Sequence, residues 1–134
     1  MEFQASASLG ATALVSYDTV AVREDLRRGE IVLMHAAAGG LGLMSVQIAK
    51  AFEARVIATA PIKEKLEVAR KFGAYECLDN FGGQEWWKTI LEQTGGKGVD
   101  LVFDSVGLVD LSLKCLSHER RVYWPLGSRA EKEI

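Results

Sequence analysis

The sequence predicts an α/β protein: a doubly wound parallel sheet of about five strands, with an N-terminal helix preceding the sheet. Three observations carry this. Short apolar runs alternate with stretches of helical period along the 134 residues. Several of these runs are apolar at consecutive positions, the pattern of strands covered on both faces. The first run leads into a turn of small residues, Ala37-Ala38-Gly39-Gly40-Leu41-Gly42, and then at once into a helical pattern. Such an alternation builds a parallel sheet with helices on both sides, joined by right-handed crossovers.

The elements follow in order. From about Gly10 to Leu26 the chain reads as a helix ahead of the sheet, with Leu14, Tyr17 and Ala21 inward. Ile31-Val32-Leu33-Met34 is the first strand. Leu41, Met44, Ile48 and Phe52 recur at steps of three and four and mark one apolar helical face. Arg55-Val56-Ile57-Ala58-Thr59 is a second strand, rich in β-branched residues. Ile62, Leu66 and Ala69 outline the next helix, which Gly73 ends. Glu76-Cys77-Leu78-Asp79 is a short third strand, and Asn80-Phe81-Gly82-Gly83 a loop. Trp87, Ile90, Leu91 and Thr94 share a face of a third helix that stops at Gly95-Gly96. Asp100-Leu101-Val102-Phe103 is the fourth strand; Leu108, Leu111 and Cys115 outline a helix; Arg121-Val122-Tyr123-Trp124 is the fifth strand, limited by Pro125. With no linker, repeat or low-complexity segment, residues 1–134 read as one domain.

Composition narrows the function. Charged residues make up 25% and apolar residues 49%, so the chain can bury a core without a metal or disulfide staple. The net charge of −2, with no block of like charges, argues against a nucleic-acid or membrane-surface partner. No apolar run is long enough to span a bilayer, and Met1-Glu2-Phe3-Gln4 has no basic region of a secretory signal. Cys77 and Cys115 fit neither a zinc motif nor a redox pair and read as small buried hydrophobes. A reducing, cytoplasmic setting is expected.

The glycine-rich turn carries the chemistry. Ala37 lies where the chain leaves the strand. Gly39 lacks a Cβ, so a diphosphate can approach the backbone, and Gly42 lets the helix lie close to the strand. The helix N-terminus then offers unpaired N–H groups and partial positive charge. Thr59 stands 20 residues beyond Gly39, where a ribose-reading residue belongs. Together these describe a Rossmann-type dinucleotide site, although Ala37 replaces the first glycine of the strict fingerprint. A plain strand-to-helix turn with no ligand is the other reading. The end of the second strand, Ala58-Thr59-Ala60-Pro61-Ile62, holds no acid to bond a ribose 2′-hydroxyl or repel a 2′-phosphate. With Lys63 and Lys65 just beyond, this favours NADP(H). Lys65 reads either as a phosphate ligand or as an exposed helix lysine.

Other candidates carry less. His35 ends the first strand and reads as a packed, hydrogen-bonded residue before a catalyst. His118 falls in a charged loop. Helical spacing makes Trp87 core and Trp86 partly exposed. Asp104 and Asp110 flank Gly107 without the spacing of a defined acid–base pair. No cluster has metal-ligand spacing and no nucleophile elbow occurs. No residue stands out as catalytic.

The stretch from His35 to Gly42, followed by Val46-Gln47-Ile48-Ala49-Lys50, resembles the zinc-independent, zeta-crystallin-like quinone oxidoreductases of the medium-chain dehydrogenase/reductase superfamily. The likeness continues through residues 55–60, Glu64-Lys65-Leu66-Glu67-Val68-Ala69-Arg70, Gly73-Ala74, and from Thr94 to Asp104 with Val106-Gly107. Upstream it takes in Ala7-Ser8-Leu9, Tyr17 and Gly29-Glu30, and so covers nearly the whole chain. The resemblance implies NADPH-dependent hydride transfer to quinones or α,β-unsaturated carbonyls. It implies that Ala38, Gly39, Gly40, Leu41 and Gly42 form the pyrophosphate turn, and that Thr59 and Lys65 lie at the adenosine ribose and its phosphate. Asn80 stands near the 2′-phosphate, where the family usually has Tyr. Val106 and Gly107 would line the crevice after the fourth strand, and Gly127 and Ser128 would approach the nicotinamide.

The chain also departs from the family. Glu119-Arg120-Arg121 replaces a Gly-Gly-Arg turn, which predicts strain if that turn needs positive φ. An extra residue falls between Arg121 and Gly127, a stretch that includes Pro125. Gly10 and Val15 stand where Pro and Thr are common. The family's β-barrel substrate domain and sixth strand are not in this sequence. The expectation is therefore the cofactor domain of such an oxidoreductase, acting on a small-molecule substrate. The alternative is a nucleotide-binding or interaction module that kept the fold and lost turnover. The fifth strand is expected to form a sheet edge prone to self-association.

Overall fold

In a computed structural model the described residues are 14–18, 26–35, 37, 40–60, 62–79, 85–104 and 108–123. They form α1 (Leu14–Tyr17), β1 (Ile31–His35), α2 (Gly40–Ala51), β2 (Arg55–Ala60), α3 (Lys63–Lys71), β3 (Glu76–Asp79), α4 (Trp86–Gln93), β4 (Val99–Phe103), α5 (Val109–Lys114) and β5 (Leu116–Tyr123). The sheet is parallel throughout, in the order β3-β2-β1-β4-β5. This is the expected doubly wound Rossmann-type sheet. From β1 the chain builds outward to β3, then returns to lay β4 against the other side of β1. The two crossovers leaving the centre thus diverge, so the carboxyl ends of β1 and β4 form the switch point at which open sheets of this kind bind ligands.

Central strands buried on both faces explain the continuous apolar runs. Val32, Met34, Val56, Ala58, Leu101 and Phe103 pack toward α2 and α3, with Val46, Ala49 and Ala69. Leu33, Ile57 and Val102 pack toward α4, with Trp86, Ile90 and Cys115. At 1% exposure or less, Phe103, Leu33 and Met34 are the bulkiest of the buried side chains.

Two glycines are required by their surroundings. Gly73 ends α3 at φ +124°, its N–H donating to the Arg70 carbonyl at 3.1 Å. Gly98 leads into β4 at φ +83°, where a Cβ would stand 2.5 Å from the Cys115 carbonyl oxygen.

Several expectations are corrected. On α1, Leu14 and Tyr17 are exposed at 71% and 52%, while Ser16 is buried. The small serine faces inward while the Tyr17 ring leans on Phe52 from outside, centroids 6.2 Å apart; Ala21 lies outside the described residues. On α2 the buried positions are Gly42, Ser45, Val46 and Ala49, while Ile48 and Phe52 sit at the margin. Small residues let that helix lie close to the strands; the larger ones fill its flank.

The two tryptophans exchange places. Trp86 is buried and Trp87 half-buried. The inward face of α4 runs through Trp86 and Ile90, one turn apart, with Trp87 and Leu91 at its margin. Trp87 instead meets the Lys88 and Lys114 ammonium groups, 5.6 and 5.0 Å from its ring centroid. Ile62 precedes α3 and is exposed.

The fifth strand begins earlier than expected, at Leu116, so His118 lies in a strand and not a loop. Its register against β4 shifts between Val99↔Leu116 and Leu101↔Arg121. That irregularity absorbs Glu119-Arg120-Arg121 as extended chain, and among the described residues Glu53 is the non-glycine residue with positive φ. The expected strain at 119–121 is therefore not there.

Candidate functional site

The site is built at the carboxyl ends of β1, β2 and β4. β1 ends at His35, and α2 starts at Gly40, so only four residues separate the strand from the helix N-terminus. Within that turn Ala37 is buried, and its N–H donates to the Thr59 carbonyl at 3.4 Å. Gly40 and Leu41 open the first turn of α2, and Gly42 is buried against the sheet. The first amides of α2 have no intrahelical carbonyl to accept from them. Ala38, Gly39, Asn80, Val106, Gly107, Gly127 and Ser128 lie outside the described residues.

The end of β2 bears no carboxylate. Ala58, Thr59 and Ala60 are all buried there. Beyond them Lys63 and Lys65 stand exposed in the first turn of α3. An open groove of about 170 Å³ lies farther out between α3 and β3, lined by Lys63, Leu66, Glu67, Arg70 and Cys77.

Thr59 is brought to the crevice end of β2, but its side chain turns inward. It is fully buried, and its Oγ1 lies 2.7 Å from His35 Nδ1. The parallel register sets this up by pairing His35 with Thr59 across β1 and β2. The other ring nitrogen, Nε2, lies 2.8 Å from Ser112 Oγ on α5. The Trp86 ring meets the imidazole edge-on, centroids 5.0 Å apart. Asp104, the residue after β4, is buried on the same side. His35 is thus the packed, hydrogen-bonded residue expected of it.

Burial holds the His35 pKa down to about 4 from an ordinary 6.5, against the pull of the Asp104 charge in the other direction. The ring is neutral at physiological pH, so one nitrogen donates and the other accepts, with both hydroxyls completing the pattern. Asp110, by contrast, is exposed on α5, so the two aspartates share no environment. Cys115 is buried, its thiol pushed up to about 12 by burial, and Cys77 is half-buried. Both cysteines are unpaired.

Sequence reasoning missed Ser112 and the inward turn of Thr59. Ser112 lies 77 residues from its partner, on a helix whose apolar spacing draws attention to Leu108, Leu111 and Cys115. Among the described residues no group of three or more His, Cys, Asp or Glu side chains could hold a metal ion. Among them, too, no helix is long and apolar enough to cross a membrane.

The sequence pattern of the family described as zinc-binding dehydrogenase matches residues 40–123. A 2-haloacrylate reductase of a Burkholderia species is 45% identical over 93 residues, covering 68% of this chain and 28% of the relative. A quinone oxidoreductase of Pseudomonas aeruginosa is 36% identical over 119 residues, covering 87% of this chain and 36% of the relative. The crystal structure of Escherichia coli quinone oxidoreductase complexed with NADPH superimposes with a TM-score of 0.84 at 32% identity, over 91% of this chain and 38% of that one. The chain spans about a third of the length of the relatives it matches.

Proposed function

This chain belongs to the zinc-binding dehydrogenase family, in the quinone oxidoreductase branch of the medium-chain dehydrogenase/reductase superfamily, and we propose that it binds NADPH as the cofactor domain of an enzyme reducing quinones or α,β-unsaturated carbonyls. The observation that carries this reading is the reversal of strand order at β1, with the N-terminus of α2 opening at the crevice so formed.

The residues present fit a phosphorylated dinucleotide. Backbone amides of Ala38, Gly39, Gly40 and Leu41 would hold the pyrophosphate, and Gly42 would let α2 lie close enough for them to do so. Lys65 and Asn80 would hold the 2′-phosphate; the carboxylate-free end of β2 would leave that charge unopposed. Thr59 supports the ribose end indirectly, through its hold on Ala37 and His35. Val106 and Gly107 would line the far side of the cofactor, and Gly127 and Ser128 would approach the nicotinamide. The bound cofactor supplies hydride; the protein's share is to hold it in reacting geometry. The whole of residues 1–134 acts as one cofactor-binding domain.

Titration of the chain with NADPH and NADH, read by nucleotide fluorescence, tests this. NADPH should bind more tightly, and Lys65→Gln should cost about tenfold for NADPH with little change for NADH, the loss of one charge-assisted phosphate contact. Equal binding of both nucleotides would remove the NADP(H) assignment, and binding of neither the whole reading.

Self-association through β5, which ends the described sheet, belongs to the same proposal. A sedimentation coefficient independent of concentration would oppose it. The cytoplasm is the proposed setting, supported by the two unpaired cysteines.

A further inference from the structure

We propose that His35 is a positioning residue for the dinucleotide: its two ring nitrogens tie the end of β2 and helix α5 to the last residue of β1, and so set the crevice in which the cofactor lies. The inference rests on the cofactor reading above and extends it to residues that no ligand touches.

The geometry is that of a two-ended tether. His35 is fully buried, so it cannot meet a ligand itself. On one side Nδ1 reaches Thr59, whose carbonyl receives the Ala37 amide of the glycine turn. On the other side Nε2 reaches Ser112 of α5, the helix that follows the β4 loop across the crevice. A neutral imidazole offers one donor and one acceptor, and each hydroxyl can serve as either. The two bonds are therefore correlated: whichever way the proton sits, both ends can be satisfied, and the ring cannot rotate without losing both. The buried Trp86 ring packs edge-on against the imidazole, centroids 5.0 Å apart. Asp104, buried beside this cluster, continues the same polar floor to the end of β4.

A tether of this kind matters most where the ligand bridges the two elements it joins. The adenosine half of a dinucleotide lies over β2, and the remainder crosses the switch point toward β4 and α5. Loosening α5 from β1 should then weaken the full dinucleotide and spare an adenosine fragment. A purely structural role would not separate the two ligands.

The test is the dissociation constant of NADPH and of 2′,5′-ADP for the full chain, measured on wild type, Ser112→Ala and Ser112→Thr at a temperature where circular dichroism shows each to be folded. Ser112→Ala should weaken NADPH about tenfold, the equivalent of one buried hydrogen bond. It should leave 2′,5′-ADP within about twofold, and Ser112→Thr, which keeps the hydroxyl, should restore NADPH. Should Ser112→Ala not fold, Ser112→Cys, which keeps the side-chain volume but replaces the hydroxyl by a weak hydrogen-bonding thiol, takes its place with the same ligand contrast expected. Equal weakening of both ligands, or unchanged NADPH binding in a folded Ser112→Ala, overturns the tether while leaving the cofactor reading intact. Wild type that binds neither ligand overturns both.

Discussion

The two faces of the sheet are built to different rules. Toward α2 and α3 the strands present Val32, Met34, Val56, Ala58, Leu101 and Phe103, apolar from end to end. Toward α4 and α5 the same strands begin apolar, with Leu33, Ile57 and Val102, and finish in His35, Thr59 and Asp104 at their carboxyl ends. Both faces are closed to water, so the polar end is not a concession to solvent. Burying those groups costs free energy that only hydrogen bonds recover. The apolar face supplies stability that tolerates approximate packing; the polar end supplies geometry, at the point where the ligand crevice opens.

The sharpest way to probe this contrast is to damage the apolar face. Phe103 is 1% exposed and the bulkiest of the buried side chains there. Phe103→Ala removes the aromatic ring and leaves a cavity, at a cost of about 3–5 kcal/mol. Against a typical domain stability of about 5–15 kcal/mol, that is enough to bring urea unfolding near to native conditions. A loss below about 1 kcal/mol would show that this face is looser than its burial implies.

Acid should find the other face. His35 has a pKa of about 4 in the fold and about 6.5 unfolded, so between those values the unfolded chain holds more protons. Unfolding is then favoured as pH falls. The contribution is complete above about 6.5, fades on the way down to about 4, and amounts to about 3 kcal/mol in all. Carboxylates titrate in the same range, so the informative quantity is the difference from His35→Gln. Between pH 7 and pH 5 wild type should lose about 2 kcal/mol more than that variant in urea denaturation. Parallel losses would mean that the imidazole takes up its proton without leaving the fold.

How much of this contrast was legible in the sequence follows from the range of each interaction. β1, β2 and β4 are readable because burial on both faces leaves an unbroken apolar run, and the glycine turn reads locally. Helix phase is less so: the stretch around Trp86 and Trp87 satisfies two registers, and only packing against the sheet decides between them. The start of β5 is not legible because no glycine marks it, and a register irregularity takes up the extra chain. The polar cluster was hidden for a different reason. His35 and Thr59 stand 24 residues apart and face each other only once parallel pairing aligns them, and Ser112 is farther still. No periodicity within one element encodes a partner on another. Thr59 was therefore assigned to the ribose from its distance along the chain, when its hydroxyl belongs to the interior.

The smallest expected effect sharpens the boundary between the two rules. Trp86 belongs to both, since it packs with the apolar Leu33 and Ile90 and meets His35 edge-on. Trp86→Phe keeps an aromatic ring and loses part of the edge contact, so about 1 kcal/mol should be lost. If the ring's main duty is to exclude water from the His35 bonds, the substitution should also shrink the acid-dependent loss of stability: a wetter imidazole protonates more easily in the fold, so the loss still begins near pH 6.5 but ends at a higher pH than in wild type. Urea denaturation as a function of pH reads both quantities at once. A lower midpoint with an unshifted pH profile would assign Trp86 to the apolar core alone, and the polar end would then owe its dryness to the depth of the strands.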